Sequence, residues 1–266
     1  MEYNGSKFVV LRYGQNDQIK NDTTYFSNNM NDVICPQEEH KDLGIKMSDS
    51  GNFEAHISGI IKKARQKIGW LCRSFRSRDI NFMRKMYITY VRPQLEYCSV
   101  LWGPNEGPLM DKIEKVQSDY TKLVPALKSK SYSERLKIFK LTSMERRFDR
   151  YKIFYIRKIL LGLVPNMGIK IRRSENHRNG TFLEQYDFGK KIRNQSFLSV
   201  GPRIYNVLPQ ELRALNDSMS AFKEKFDQFL SIIPDRPRID EGSKMYSNSL
   251  DKAIKEWNQK FVYSHV

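Results

Sequence analysis

Between Lys62 and Arg92 the chain carries ten Lys or Arg side chains against one acid, Asp79. Fixed cations at that density neutralise phosphates along a polyanion and release its counterions. Lys62, Lys63, Arg65, Lys67, Arg73, Arg76, Arg84 and Lys85 are the candidate phosphate ligands. Contacts of this kind hold a nucleic-acid backbone without reading its bases. Trp70, Phe75 and Tyr87 lie among these charges. Each is either a ring that stacks on a base or a core side chain, and Tyr87 falls on an apolar stripe.

Other chemistry is sparse. Template-directed nucleotide transfer needs two metal ions held by carboxylates. No Asp-Asp pair occurs, and Glu38-Glu39 sits in a polar stretch that reads as a solvated turn. The chain has no Gly-x-Ser-x-Gly elbow, no phosphate loop and no His-Glu-x-x-His pair. Cys35, Cys72 and Cys98 are far apart, and His40, His56, His177 and His265 do not join them at zinc spacing. Cys72 and Cys98 read as small core residues in a reducing compartment. No catalytic residue and no metal ligand is assigned.

The elements that position the basic run follow from periodicity. Phe53, Ile57, Ile60, Ala64, Ile68 and Leu71 recur every three or four residues and predict one buried helix face. Lys62, Lys63, Arg65 and Lys67 fall largely off that stripe. A second helix carries Phe82, Met83, Met86, Tyr87, Tyr90 and Val91 and is expected to stop at Pro93. Leu95–Trp102 reads as core, and a third helix runs from about Leu109 to Val124. Upstream, residues 6–14 predict a buried strand. His40–Met47 predicts another, with 48–52 as its turn.

Tyr132–Leu136 starts a short helix, and Thr142-Ser143-Met144-Glu145 has capping-box spacing. The helix behind it buries Phe148, Tyr151, Phe154, Tyr155 and Ile159. Arg146, Arg147, Arg150, Lys152, Arg157 and Lys158 are placed on its other face. Residues 165–195 read as a linker, and Met219–Leu230 as a helix burying Phe222, Phe226 and Phe229. The tail from 233 to 266 is weakly patterned and expected to be loosely ordered.

Composition sets outer limits. The net charge of +16 is uneven: residues 1–52 balance at −3, and the remainder carries +19. Such a field attracts polyanions. No run approaches the roughly 18 apolar residues of a membrane span. The first residues have no apolar signal core, so secretion is not expected. The compartment is left open between nucleus and cytoplasm.

An ordered set of motifs adds a resemblance. Lys41-Asp42-Leu43-Gly44, Lys62-Lys63-Ala64-Arg65, Arg92-Pro93-Gln94-Leu95-Glu96-Tyr97 and Glu114-Lys115-Val116-Gln117 occur in this order. So do Asn206-Val207-Leu208-Pro209, Pro234-Asp235 and Asn248-Ser249-Leu250. The chain resembles the end of the palm, the thumb and the C-terminal region of jockey-like non-LTR retrotransposon reverse transcriptases. Tyr205 stands where that family usually has a tryptophan.

The resemblance implies that the paired catalytic aspartates belong upstream of Met1, making this the non-catalytic end of an RNA-directed DNA polymerase. It implies a palm remnant over 1–52, a basic thumb-like domain over 53–164, and a C-terminal region over 196–232. Lys7 matches a palm lysine that would act near pyrophosphate but is idle without the aspartates. Lys41, Leu43 and Gly44 match a hairpin that supports the primer end. Mg2+ is implied only for a full-length polymerase. The implied partners are RNA, DNA or an RNA–DNA hybrid, together with the palm and fingers of the same polymerase.

The expected fold is mainly α: a helical bundle with a small N-terminal β portion and a C-terminal helical region. Two rivals stand beside the nucleic-acid reading. Aromatic helices in the second half suit a protein-interaction module. Strands lacking a palm to join suit a remnant of a mobile element with no function, its edges open to aggregation.

Overall fold

Helix α1 (Glu54–Ser74) forms where the three-to-four-residue stripe begins, with the Asn52 side chain accepting from the Glu54 amide at 2.6 Å. The computed structural model describes residues 8–13, 25–26, 33–34, 36–105, 107–172, 181–189, 194–215, 217–240 and 248–263. The described residues are mainly helical, as expected. The chain divides into two compact units, 1–60 and 61–266, and the division falls inside α1.

The first unit holds short strands. β1 (Val10–Leu11) pairs in parallel with β4 (Pro36–Gln37), and β2 (Tyr25–Phe26) pairs antiparallel with β3 (Val33–Ile34). Of the strand expected over 6–14, residues 8–13 are described and hold the half-buried pair Val10–Leu11; Lys7 lies outside the described residues. β5 (Glu39–Asp42) and β6 (Ile45–Ser48) form a hairpin with Asp42 opposite Ile45.

The hairpin corrects the expected single strand over His40–Met47. Its turn is Leu43-Gly44, with φ of 46° and 87°, not residues 48–52. Two successive positive φ values match the right-handed twist of paired strands, and the Gly takes one of them without steric cost. Behind the hairpin, His56 on α1 is buried and its Nδ1 accepts from the Lys46 amide at 3.2 Å.

In the second unit α2 (Ile80–Met86) starts at Asp79, whose carboxylate accepts from the Phe82 amide at 2.9 Å. Pro93 does not stop this helix. The chain widens into a π-helical stretch (Tyr87–Val91) and continues as α3 (Arg92–Glu96). The Arg92 amide reaches back five residues to the Tyr87 carbonyl. That longer step absorbs the proline's missing donor and the crowding of its ring. α4 (Ser99–Trp102) follows and ends at Gly103.

α5 (Pro108–Thr121), α6 (Tyr132–Phe139) and α7 (Met144–Leu160) follow, and α5 packs against both α6 and α7. The reciprocal capping box forms at Ser131 and Glu134, which have the same spacing as the pair singled out above. At α7 Ser143 caps alone, accepting from the Arg146 amide, and Glu145 is buried.

α8 (Phe197–Asn206), α9 (Gln210–Arg213), α10 (Met219–Ile232) and α11 (Leu250–Tyr263) pack with the C-terminal half of α7. Ile153, Ile156, Ile204, Phe222, Phe226 and Ile254 share one core there. Gly201 gives α8 its close approach, since a Cβ on it would stand 2.9 Å from Ile156 Cδ1. Two of the sequence expectations differ from this arrangement. Residues 165–195 do not separate compact units: the Arg172 amide bonds the Phe182 carbonyl, and Ile169 and Leu183 enter the core. Among the described residues of the tail, Leu250 and Ile254 are fully buried in that core rather than loosely ordered.

Candidate nucleic-acid interface

Within the second unit α1 buries Ile61, Ala64 and Leu71 and turns its other side to water. Lys62, Lys63, Arg65, Arg73, Arg76 and Lys85 are exposed, and Lys67 and Arg84 are half-buried. None of these eight forms an ion pair with another described residue. Their charge is therefore not cancelled by a neighbouring described carboxylate, and six of the eight present it openly to solvent.

The other two cations of the run serve the fold. Arg78 donates to the carbonyls of Phe75 at 2.7 Å and Ser77 at 2.9 Å, closing the turn after α1. Arg92 pairs with Glu96 at 3.5 Å. Burial, then the nearby Arg147, lowers the Arg92 guanidinium from its ordinary range.

The aromatic residues separate sharply. Tyr87 is fully buried, its ring 5.0 Å from Tyr120 and its hydroxyl 3.6 Å from Met144 Sδ. It cannot stack on a base. Trp70 is 43% exposed, Phe75 37% and Tyr90 40%. The Trp70 ring meets Tyr90 at 6.0 Å and Phe75 at 6.4 Å, and Phe75 meets Phe82 at 5.4 Å. The Lys67 ammonium lies 5.3 Å from the Trp70 centroid. Spacing alone puts Tyr90 on the apolar stripe. The π-helical stretch changes the residues-per-turn count there, so a strict helical period misplaces it.

The hairpin of the first unit exposes Lys41, Leu43 and Gly44. Leu43 is 81% exposed at the tip. Lys41 stands opposite Lys46, which pairs with Glu39.

A second polar constellation lies inside the second unit, built on Glu114 and Gln117 of the ordered motif Glu114-Lys115-Val116-Gln117. Glu114 on α5 is 3% exposed. The Tyr132 hydroxyl donates to its Oε1, and the Met144 and Glu145 amides donate to its Oε2 at 2.8 and 3.3 Å. Gln117 donates to the Tyr132 oxygen at 2.8 Å and to the Thr142 carbonyl at 2.9 Å. Burial pushes the Glu114 carboxyl up to about 8, and these hydrogen bonds offset it only in part. Burial, with Asp149 and Glu114 nearby, pushes Glu145 up to about 9. Every partner named is a backbone group or side chain of the same unit, so the cluster ties α5 and α6 to the start of α7.

Five of the six cations expected on the outer face of α7 are drawn into such networks, Lys158 being the exception among them. Arg146, Lys152 and Arg157 are buried. Lys152 bonds Asn105 at 2.6 Å and pairs with Asp149 at 3.1 Å. Arg157 donates to the carbonyls of Ala214 at 2.7 Å and Asp217 at 2.9 Å. Arg147 pairs with Glu96, and Arg150 pairs with Asp227 at 2.6 Å. Helix α7 is central, so both of its faces meet protein.

Among the described residues no helix is long and apolar enough to cross a membrane. Among them no group of three or more His, Cys, Asp or Glu could hold a metal ion.

Comparison with known proteins gives one partial similarity. The chain is 31% identical over 98 residues to an uncharacterized protein of Caenorhabditis elegans, B0403.1. The match covers 36% of this chain and 50% of that protein, so the chain spans about half the length of the curated relative it matches. No family model and no solved structure matches the chain.

Proposed function

We propose that this chain binds the sugar–phosphate backbone of a nucleic acid and is the non-catalytic C-terminal portion of a non-LTR retrotransposon reverse transcriptase. One observation carries the binding half: eight cations along Lys62–Lys85 lie outside any ion pair with described residues, while Arg78 and Arg92 are engaged in the fold. Carboxylate partners would have quenched the field. Their absence among the described residues leaves it available to phosphates.

The family half rests on the ordered motifs. The hairpin whose tip presents Leu43 and Gly44 supports it, because that is the element the resemblance assigns to the primer end. In this reading the chain supplies grip and no chemistry, and catalysis requires carboxylates and Mg2+ from the rest of a polymerase. Its partners are an RNA–DNA hybrid or related duplex and the palm and fingers.

The test is the salt dependence of affinity for a labelled RNA–DNA hybrid, followed by fluorescence anisotropy. Phosphate contacts make the logarithm of affinity fall linearly with the logarithm of salt. A flat response rejects the backbone reading.

A further inference from the structure

We infer that Trp70, flanked by Phe75 and Tyr90, is a stacking platform for an unpaired nucleobase. The basic face of α1 would then hold single-stranded nucleic acid more tightly than blunt duplex. This rests on the backbone reading above and adds a ligand class to it.

Three observations carry the inference. Trp70 leaves 43% of its surface in water although Leu71, its neighbour in sequence, is buried. Its ring is held by edge contacts rather than loose: Tyr90 meets it at 68° and Phe75 at 87°. A ring already ordered loses little freedom when a ligand stacks on it. Charge surrounds it on the correct side. At 100° per residue, Lys62, Lys63, Trp70 and Arg73 fall within an arc of about 100° on α1.

The chemistry selects the ligand. A base offers a π-face and its own phosphate offers an anion, so an unpaired nucleotide satisfies the indole and the lysines together. Lys67, 5.3 Å from the indole centroid, adds a cation at the same spot. Bases inside a duplex already stack on one another and offer edges in the grooves instead. Phosphate-only binding would favour the duplex, whose charge density and counterion release are greater.

The experiment uses the full chain and three probes of matched phosphate number: an RNA strand, the same sequence as DNA, and a blunt RNA–DNA hybrid. The wild-type protein is expected to bind both single strands more tightly than the hybrid. Its tryptophan emission should be quenched by the strands and not by the hybrid. Trp70→Leu should weaken the single strands on the order of tenfold and leave the hybrid unchanged, while Trp70→Phe retains most of the preference. Circular dichroism establishes that each variant folds. Should Trp70→Leu not fold, quenching by the strands in the wild type that is lost in Trp70→Phe assigns the signal to Trp70, since Trp102 and Trp257 also emit.

Equal loss on all three probes, no loss on any, or quenching by the hybrid as strong as by the strands overturns the platform. If wild-type binding is steeply salt-dependent yet indifferent to Trp70→Leu, only the platform falls. If the wild type binds none of the probes at low salt, the backbone reading falls with it.

Discussion

The Asn248 side-chain amide donates to the Ser143 hydroxyl at 3.0 Å, joining the tail to the residue that caps α7. Asp235 completes the clasp. It accepts from the Ser143 hydroxyl and amide at 2.7 Å each and from Asn248 at 2.8 Å. A short tail thus secures the start of the central helix from more than a hundred positions away.

Removing residues 248–266 should therefore destabilise the second unit rather than trim a loose end. Leu250 and Ile254 leave the core, at about 1.5–3 kcal/mol for each buried aliphatic side chain. The Asp149 carboxylate also loses the Leu250 amide at 2.9 Å. A lower melting temperature and faster proteolysis are expected. An unchanged melt would contradict the clasp.

Stability should fall as pH rises toward 8. Glu114 holds its proton in the folded state up to about 8, whereas its ordinary value is 4.5. Between those limits the unfolded chain binds fewer protons, so unfolding becomes easier as pH rises. The slope for one such group approaches about 1.4 kcal/mol per pH unit. Urea midpoints across pH 5 to 8 should decline in the wild type and decline less in Glu114→Gln, at roughly this scale.

Arg157→Met should cost about 2–4 kcal/mol. The guanidinium is fully buried, bonds two carbonyls and lies 4.7 Å from the Phe222 ring centroid. Methionine fills the stem and leaves both carbonyls without that donor. Lysine, lacking the planar fork, should recover only part of the loss, as denaturant titration would register.

Gly201→Ala should destabilise the packing of α8 on α7 by about 1–3 kcal/mol, because the added methyl meets Ile156 and Phe197 at 2.9 and 3.2 Å. Gly59→Ala is the control. Gly59 is exposed within α1 with open space around it, so the alanine should be stabilising by about 0.5–1 kcal/mol. Thermal unfolding of the two variants should move in opposite directions.

Neutralising Lys62, Lys63 and Arg73 together should weaken binding to the hybrid and reduce the salt slope by roughly one for each phosphate that is no longer neutralised. Neutralising Arg147 or Arg150, which are paired with Glu96 and Asp227, should leave that slope unchanged. Equal effects from both sets would show that the field does not centre on α1.

The amino-acid sequence by itself determined the helices whose apolar residues repeat strictly. α1, α5, α7 and α10 lie close to where Ile57, Ile113, Phe148 and Phe222 require them. Local spacing also decided which cations of α1 face water, because helix geometry alone sets that. Tertiary structure decided the rest. Whether Arg157 meets solvent depends on Ala214 and Asp217, far along the chain. Whether Tyr87 or Tyr90 is exposed depends on a π-helical stretch that Pro93 makes necessary and that no short-range period encodes. The Glu114 cluster and the Asn248 clasp use residues of quoted motifs, yet their pairing was not legible in them: a hydrogen bond depends on where two distant groups end up, not on what stands beside each of them.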